Sequence, residues 1–212
     1  MTPSPTTEVD RLLAEAVAHA LSGWDFTPLA GRVISDPLPW DYARLAAAAV
    51  GRAERVLDID TGGGELLATL GPPPGSVVLN RHGALDPAEI VRVLRPGGTL
   101  RTQQVGADYD AELNAAFGAD PPIGGLRSAA EGSELLRAAG MDVIRADEAR
   151  AATHFLDVGA VVLQLRAVSW QVPGFDVVRH RSQLLEIDRV IRADGAFTVT
   201  DHRLLFRAVR PS

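Results

Sequence analysis

Apolar residues at Val9, Leu12, Leu13, Ala16, Val17 and Leu21 recur every three or four positions, which predicts a helix over about Glu8–Leu21 that stops at Ser22-Gly23. A second helical stretch covers Tyr42–Val50. The period then changes. Val56, Leu57 and Ile59 form a short apolar run that ends in Gly62-Gly63-Gly64, and an apolar stretch Glu65–Leu70 follows, so the pattern reads strand, tight turn, helix. Ser76–Asn80 reads as a buried strand. Asp86-Pro87-Ala88-Glu89 supplies an N-cap, a proline at the first helical position and an acid three residues after the cap, which opens a helix to Leu94. Thr99–Val105 is the next strand. A helix over Ala129–Ala139, a strand that begins over Met141–Ile144, helices within Asp157–Trp170 and Phe175–Ile191, and a strand or hairpin within Phe197–Val209 complete the chain. Strands that alternate with helices predict an α/β fold with a mostly parallel sheet.

The division expected from this pattern is a helical cap over residues 1–50 and one compact α/β domain over residues 51–212. A chain of 212 residues, 46% hydrophobic and 23% charged, has the size and composition of one globular domain. Its formal charge of −6 argues against nucleic acid as a partner, although all of its basic residues are arginine. No apolar run approaches the ~20 residues that span a bilayer, and the N-terminus lacks a basic region with an apolar core; a cytoplasmic protein that does not engage membranes is expected. The absence of cysteine excludes disulfides, thiol nucleophiles and zinc-thiolate sites. His154 and His202 have no carboxylate at metal-ligand spacing, so no metal is expected.

In parallel α/β sheets ligands sit outside the carboxyl ends of the strands. The residues there are Asp58, Asp60 and Thr61, then Asn80, Arg81 and His82, then Gln103 and Gln104. Arg81 is suited to be a fixed cation for an anionic group and His82 to move a proton near neutral pH, with Asn80 and Gln103 as polar partners; the alternative is that Arg81 pairs with a nearby carboxylate and His82 is solvated. Only one of Gln103 and Gln104 can face a pocket, because side chains alternate along a strand.

Three segments, in order, resemble the class I S-adenosylmethionine (SAM) methyltransferases: Arg55–Glu65 as first strand and glycine loop, Val77–Gly83 as fourth strand, and Glu89–Leu100, with its Leu-Arg-Pro-Gly-Gly turn, as the approach to strand five. The likeness covers roughly residues 50–210 and implies a Rossmann-like fold under an N-terminal helical cap. It also implies that Asp58, Asp60, Gly62 and Gly64 would hold the amino-acid end of SAM. The family pattern has glycine where Asp60 stands, and a carboxylate there, ~4 Å from that of SAM, opposes binding by on the order of 4 kcal/mol at an effective dielectric near 20. Only Gly71–Gly75 separates the first helix from the strand ending at Asn80, whereas a parallel crossover needs a dozen or more residues. Strands two and three, which in the family bring the ribose carboxylate and much of the adenine pocket, are therefore expected to be missing, and strand one to become an edge.

The leading expectation is a methyltransferase-like protein that binds no cofactor. It would act on a small-molecule substrate as a subunit or a repurposed catalyst of elimination or cyclisation type in bacterial biosynthesis. A protein partner, another chain or a second copy, would cover the strand-one edge. The alternatives are a compact SAM-dependent methyltransferase, with SAM as cofactor, and a non-catalytic stabilising subunit.

Overall fold

The structure, a computed structural model, describes residues 5–22, 25–53, 55–59, 77–81, 84–120 and 125–212. Among them the elements run α1 (Pro5–Ala18), a 3-10 turn (Thr27–Leu29), β1 (Val33–Ser35), α2 (Tyr42–Val50), β2 (Val56–Ile59), β3 (Val77–Arg81), α3 (Pro87–Val93) and β4 (Thr99–Val105). They continue with α4 (Ala111–Phe117), α5 (Ala129–Ala138), β5 (Asp142–Phe155), α6 (Val158–Ala167), α7 (Arg181–Asp194) and β6 (Phe197–Val209). Four helices start on a side chain that accepts a backbone N–H of the first turn: Asp41 from Arg44, Asp86 from Glu89, Ser128 from Glu131 and Asp157 from Ala160. Each satisfies a donor that the helix itself leaves unpaired. No helix among the described residues is long and apolar enough to cross a membrane.

The chain groups into two compact units, one of residues 1–36, 110–123 and 151–201, the other of residues 37–109, 124–150 and 202–212. Val9, Leu13 and Ala16 of α1 join the core of the first unit with Val161, Leu165, Leu184 and Ile187 from α6 and α7. Tyr42, Ala46 and Val50 of α2 pack instead with Leu79 and Leu205 in the second unit. The reason is the length of apolar face each helix carries: two separate hydrophobic stripes each find their own sheet or helix surface.

The second unit holds the parallel strands. Its sheet order is β5-β6-β4-β3-β2. β2 pairs parallel to β3 and β3 parallel to β4, while β6 joins β4 antiparallel. β2 is the last strand of this order. Ile90, Leu94, Leu100, Leu136, Leu204 and Phe206 fill one sheet face, against α3 and α5. The α2 core lies on residues of the other face, Leu79 and Leu205.

In the first unit β1 lies antiparallel to the end of β5, with Val33 opposite Phe155. Arg32, just before β1, holds Asp157 with both arms of its guanidinium, one at 2.7 Å. Gly159 is required there, since a Cβ would meet the Leu12 carbonyl at 2.9 Å as well as the Arg32 guanidinium. Burial pushes the Asp157 carboxyl up, but the bonds from Arg32 and from the Ala160 N–H outweigh it and hold the group below its ordinary value. A carboxyl with a depressed folded pKa contributes stability that is full above its unfolded value, about 3.9, and is lost as pH falls through the folded value. Arg32→Ala is therefore expected to lower the unfolding free energy at pH 7 by about 1–3 kcal/mol. It should also flatten the fall in stability below pH 4, as measured by urea unfolding at pH 7 and across the acid range.

Candidate functional site

The register of the parallel strands sets the level of the residues at their carboxyl ends. Asp58 is opposite Leu79 on β3, Asn80 lies between Ile59 and Thr102, and the backbone of Arg81 is opposite Gln103. Asp60, Gly62, Gly64 and His82 fall outside the described residues, and so does the expected helix at Glu65–Leu70. Asp58 is half-buried on β2. Gln103 is buried, 3% exposed, and its Oε1 accepts the Trp40 Nε1–H at 2.8 Å. Gln104, on the opposite face, is also buried and donates from Nε2 to Thr102 Oγ1 at 2.6 Å. Both glutamines are thus built into the structure, one on each face. In the first unit, Gln171 and Val172 are buried, with Gln171 Nε2 donating to Asp110 Oδ2 at 2.9 Å, while Trp170 is 55% exposed.

The loop that leaves the carboxyl end of β4 is fixed by a network that local sequence spacing does not reveal. His202 of β6 is 0% exposed. Its Nδ1 accepts the Asp108 backbone N–H at 3.2 Å, so the ring proton belongs on Nε2, which lies 3.1 Å from Glu148 Oε1 and donates to it. Arg150 bridges the two acids, with Nε 2.8 Å from Asp108 Oδ2 and a terminal nitrogen 2.8 Å from Glu148 Oε1. Glu148 also accepts the Ala129 N–H at the start of α5, 2.9 Å away. That N–H, and after it Arg150 and His202, keep the Glu148 carboxyl below its ordinary range although burial acts the other way. Gly106, the first residue after β4, donates to the His202 carbonyl at 2.9 Å and leaves room for the imidazole. Three residues on, the Tyr109 ring carries the Arg203 guanidinium 4.5 Å from its centroid. The imidazole is sealed, so it holds the loop at the strand end where ligands sit rather than reacting itself. One sign in the sequence pointed to it: His202 shares the face of β6 that carries Leu204, Phe206 and Ala208. Its partners lie 94 and 54 residues away, beyond any local pattern. His154 lies at the surface, its Nδ1 2.9 Å from Thr198 Oγ1.

No protein-family model matches the chain, and no curated protein matches its sequence. Among solved structures, a methyltransferase candidate from Bacillus halodurans C-125 is similar at a TM-score of 0.50 and 14% identity, over 81% of this chain and 99% of that one. A protein whose structure concerns conversion of a disulfide bond into a thioacetal group during echinomycin biosynthesis matches at a TM-score of 0.49 and 16% identity, over 96% of this chain and 93% of that one. The 4+2 cyclase SpnF matches at 0.45 and 14%, over 99% and 98%. At such identities likeness carries the fold alone: the chain has the Rossmann-like α/β fold of the class I methyltransferases.

Proposed function

We propose that this methyltransferase-like protein does not build the adenosine half of a SAM site. In this reading it acts on a small molecule, without SAM, as a catalyst of elimination or cyclisation type or as a catalytic subunit in bacterial biosynthesis, together with a partner chain. The observation that carries this reading is the place of β2, last in the sheet order and paired directly with β3. In the family fold, the strand beyond it brings the acid for the ribose hydroxyls, and the next the adenine contacts. Only residues 60–76 lie between β2 and β3, and a parallel crossover itself takes a dozen or more residues. No length of chain remains there for two further strands. In this reading the described residues do not build a site for the adenosine of SAM.

Losing the cofactor leaves catalysis by positioning, worth ~7–11 kcal/mol when reacting groups are held in line. The candidates for that work are Arg81 and His82, with Asn80 and Gln103 as polar partners; the backbone of Arg81 is opposite Gln103. The edge of β2, the last strand among the described residues, where Leu57 is 44% exposed, suits a partner that adds a strand or packs a helix. A net charge of −6 disfavours a polyanionic substrate. The second reading, a compact SAM-dependent methyltransferase, is favoured by the fold likeness and requires adenosine contacts from outside this sheet. The third, a stabilising subunit, needs no pocket.

Purification from the native host, with mass spectrometry of the proteins and small molecules that travel with the chain, identifies substrate and partner. In the assembly so obtained, Arg81→Ala and His82→Ala are each expected to lower turnover by about 10²-fold or more, the range for loss of a positioned acid or base. Unchanged turnover in both variants moves catalysis to the partner and leaves this chain the stabilising role.

A further inference from the structure

On the sheet face that α2 covers, β4 and β6 set two arginines directly opposite each other: Arg101 and Arg207 are partners in the antiparallel register. Like charges in that position destabilise a sheet. On its other side Arg101 faces Leu79, and Asp58 follows in the same row on β2, two strand spacings or roughly 9–10 Å away. Arg101 Nε is buried and has no hydrogen-bond partner. The backbone oxygen of the same residue accepts the Tyr42 hydroxyl at 3.4 Å. Arg207, Arg52 just past the end of α2, and Arg145 on β5 all stand close enough to act on its charge. Burial first, and then these three cations, lower the Arg101 guanidinium to about 10, which leaves it charged at neutral pH. Arg145 is matched by Asp147, with which it pairs. Among the described residues, no carboxylate pairs with Arg52, Arg101 or Arg207. An unmatched guanidinium held under a helix beside two more is a costly arrangement for a fold to keep.

We infer that Arg101, Arg207 and Arg52 form a binding site for a phosphate group, free or carried by a small molecule. The charge count selects the ligand. A carboxylate brings one charge and two oxygens, and would leave most of the cationic excess in place. A phosphate dianion brings up to two charges and three free oxygens, and can take planar forks from more than one guanidinium at once. A nucleic acid is the poorer match, because the chain as a whole carries a charge of −6 and would repel the rest of a polyanion. The site lies in the amino-terminal half of β4, so it is separate from the residues at the strand ends and independent of whether SAM binds.

The full chain is melted in inorganic phosphate, pyrophosphate or ribose 5-phosphate, against sodium chloride at matched ionic strength, with a 20-nucleotide single-stranded DNA as a further arm. The phosphate compounds are expected to raise the melting temperature in a saturable way. Arg207→Gln and Arg101→Met should each weaken the apparent affinity about tenfold or more, the loss that follows from removing a charged hydrogen bond. Arg101→Met should also melt above the parent protein in chloride, because an uncompensated charge has gone. Tighter binding of ribose 5-phosphate than of inorganic phosphate makes the ligand an organic phosphate, and equal binding makes it the free anion. Identical melting in phosphate and chloride overturns the site, as does a full phosphate response in Arg207→Gln, which alters an exposed position and decides the matter if Arg101→Met does not fold. A response to DNA without one to the phosphate compounds overturns it equally.

Discussion

Gly106→Ala is expected to lower the unfolding free energy by roughly 3–5 kcal/mol, at the upper end for a single methyl. The added Cβ would lie well under 3.0 Å from three atoms of the His202 ring. That ring has nowhere to go: it is fully buried, and it is tied at Nδ1 by the Asp108 N–H and at Nε2 by Glu148. Moving it strands a buried donor and acceptor at about 1–3 kcal/mol each. Moving the backbone instead breaks the Gly106 N–H bond to the His202 carbonyl and the bridge between Gly106 and Leu126. The disturbance would pass to Glu148, which bonds the first N–H of α5 and anchors Arg150. Adding His202→Ala to Gly106→Ala should restore part of the loss, because the Cβ then occupies space the ring has left, and the two changes should be clearly non-additive. Urea unfolding of the single and double variants measures this; additive losses would show that the glycine and the imidazole do not compete for one space.

Much of the second unit was legible because its signals are local. The Val56–Ile59 run, the Asp86-Pro87-Ala88-Glu89 start of α3 and the Arg95-Pro96-Gly97-Gly98 reversal each carry their own chemistry, and Asp86 caps as its sequence predicts. α4 was missed because its start has no ordinary cap: Asp110 adopts φ 51 with no side-chain bond to its own helix, and its carboxylate is instead held by Gln171. β5, expected to begin over Met141–Ile144, runs on to Phe155; its end was not legible because Arg145, Asp147, Glu148 and Arg150 conceal a strand that is held by pairing rather than by an apolar face. α7 begins at Arg181 rather than Phe175, because Asp176 accepts the Arg179 N–H and spends the preceding residues in a turn. A stripe of apolar residues tells that a helix packs but not on which core, as α1 and α2 show.

The candidate site was legible only as chemistry at strand ends. Asp58, Asn80, Arg81 and Gln103 do take their places on adjacent strands, but the engagement of Gln103 by Trp40 joins residues 63 positions apart. The arginines have the same character: Arg101 and Arg207 are 106 positions apart and meet only through strand register.

The second large effect concerns SAM. Its adenosine half is normally held by ribose hydroxyl bonds, at about 0.5–1.5 kcal/mol each and more when charged, and by burial of the adenine. In the reading proposed above, β2 ends the sheet order of the described residues, these contributions lack a strand to come from, and an aspartate stands at position 60 where the resemblance implies glycine. A combined loss of about 4 kcal/mol moves a micromolar ligand a thousandfold, into the millimolar range. Isothermal titration of the chain alone with SAM is the most direct test. No saturable heat below millimolar SAM is predicted; a stoichiometric isotherm with a micromolar Kd would contradict it and make the chain a SAM-binding protein.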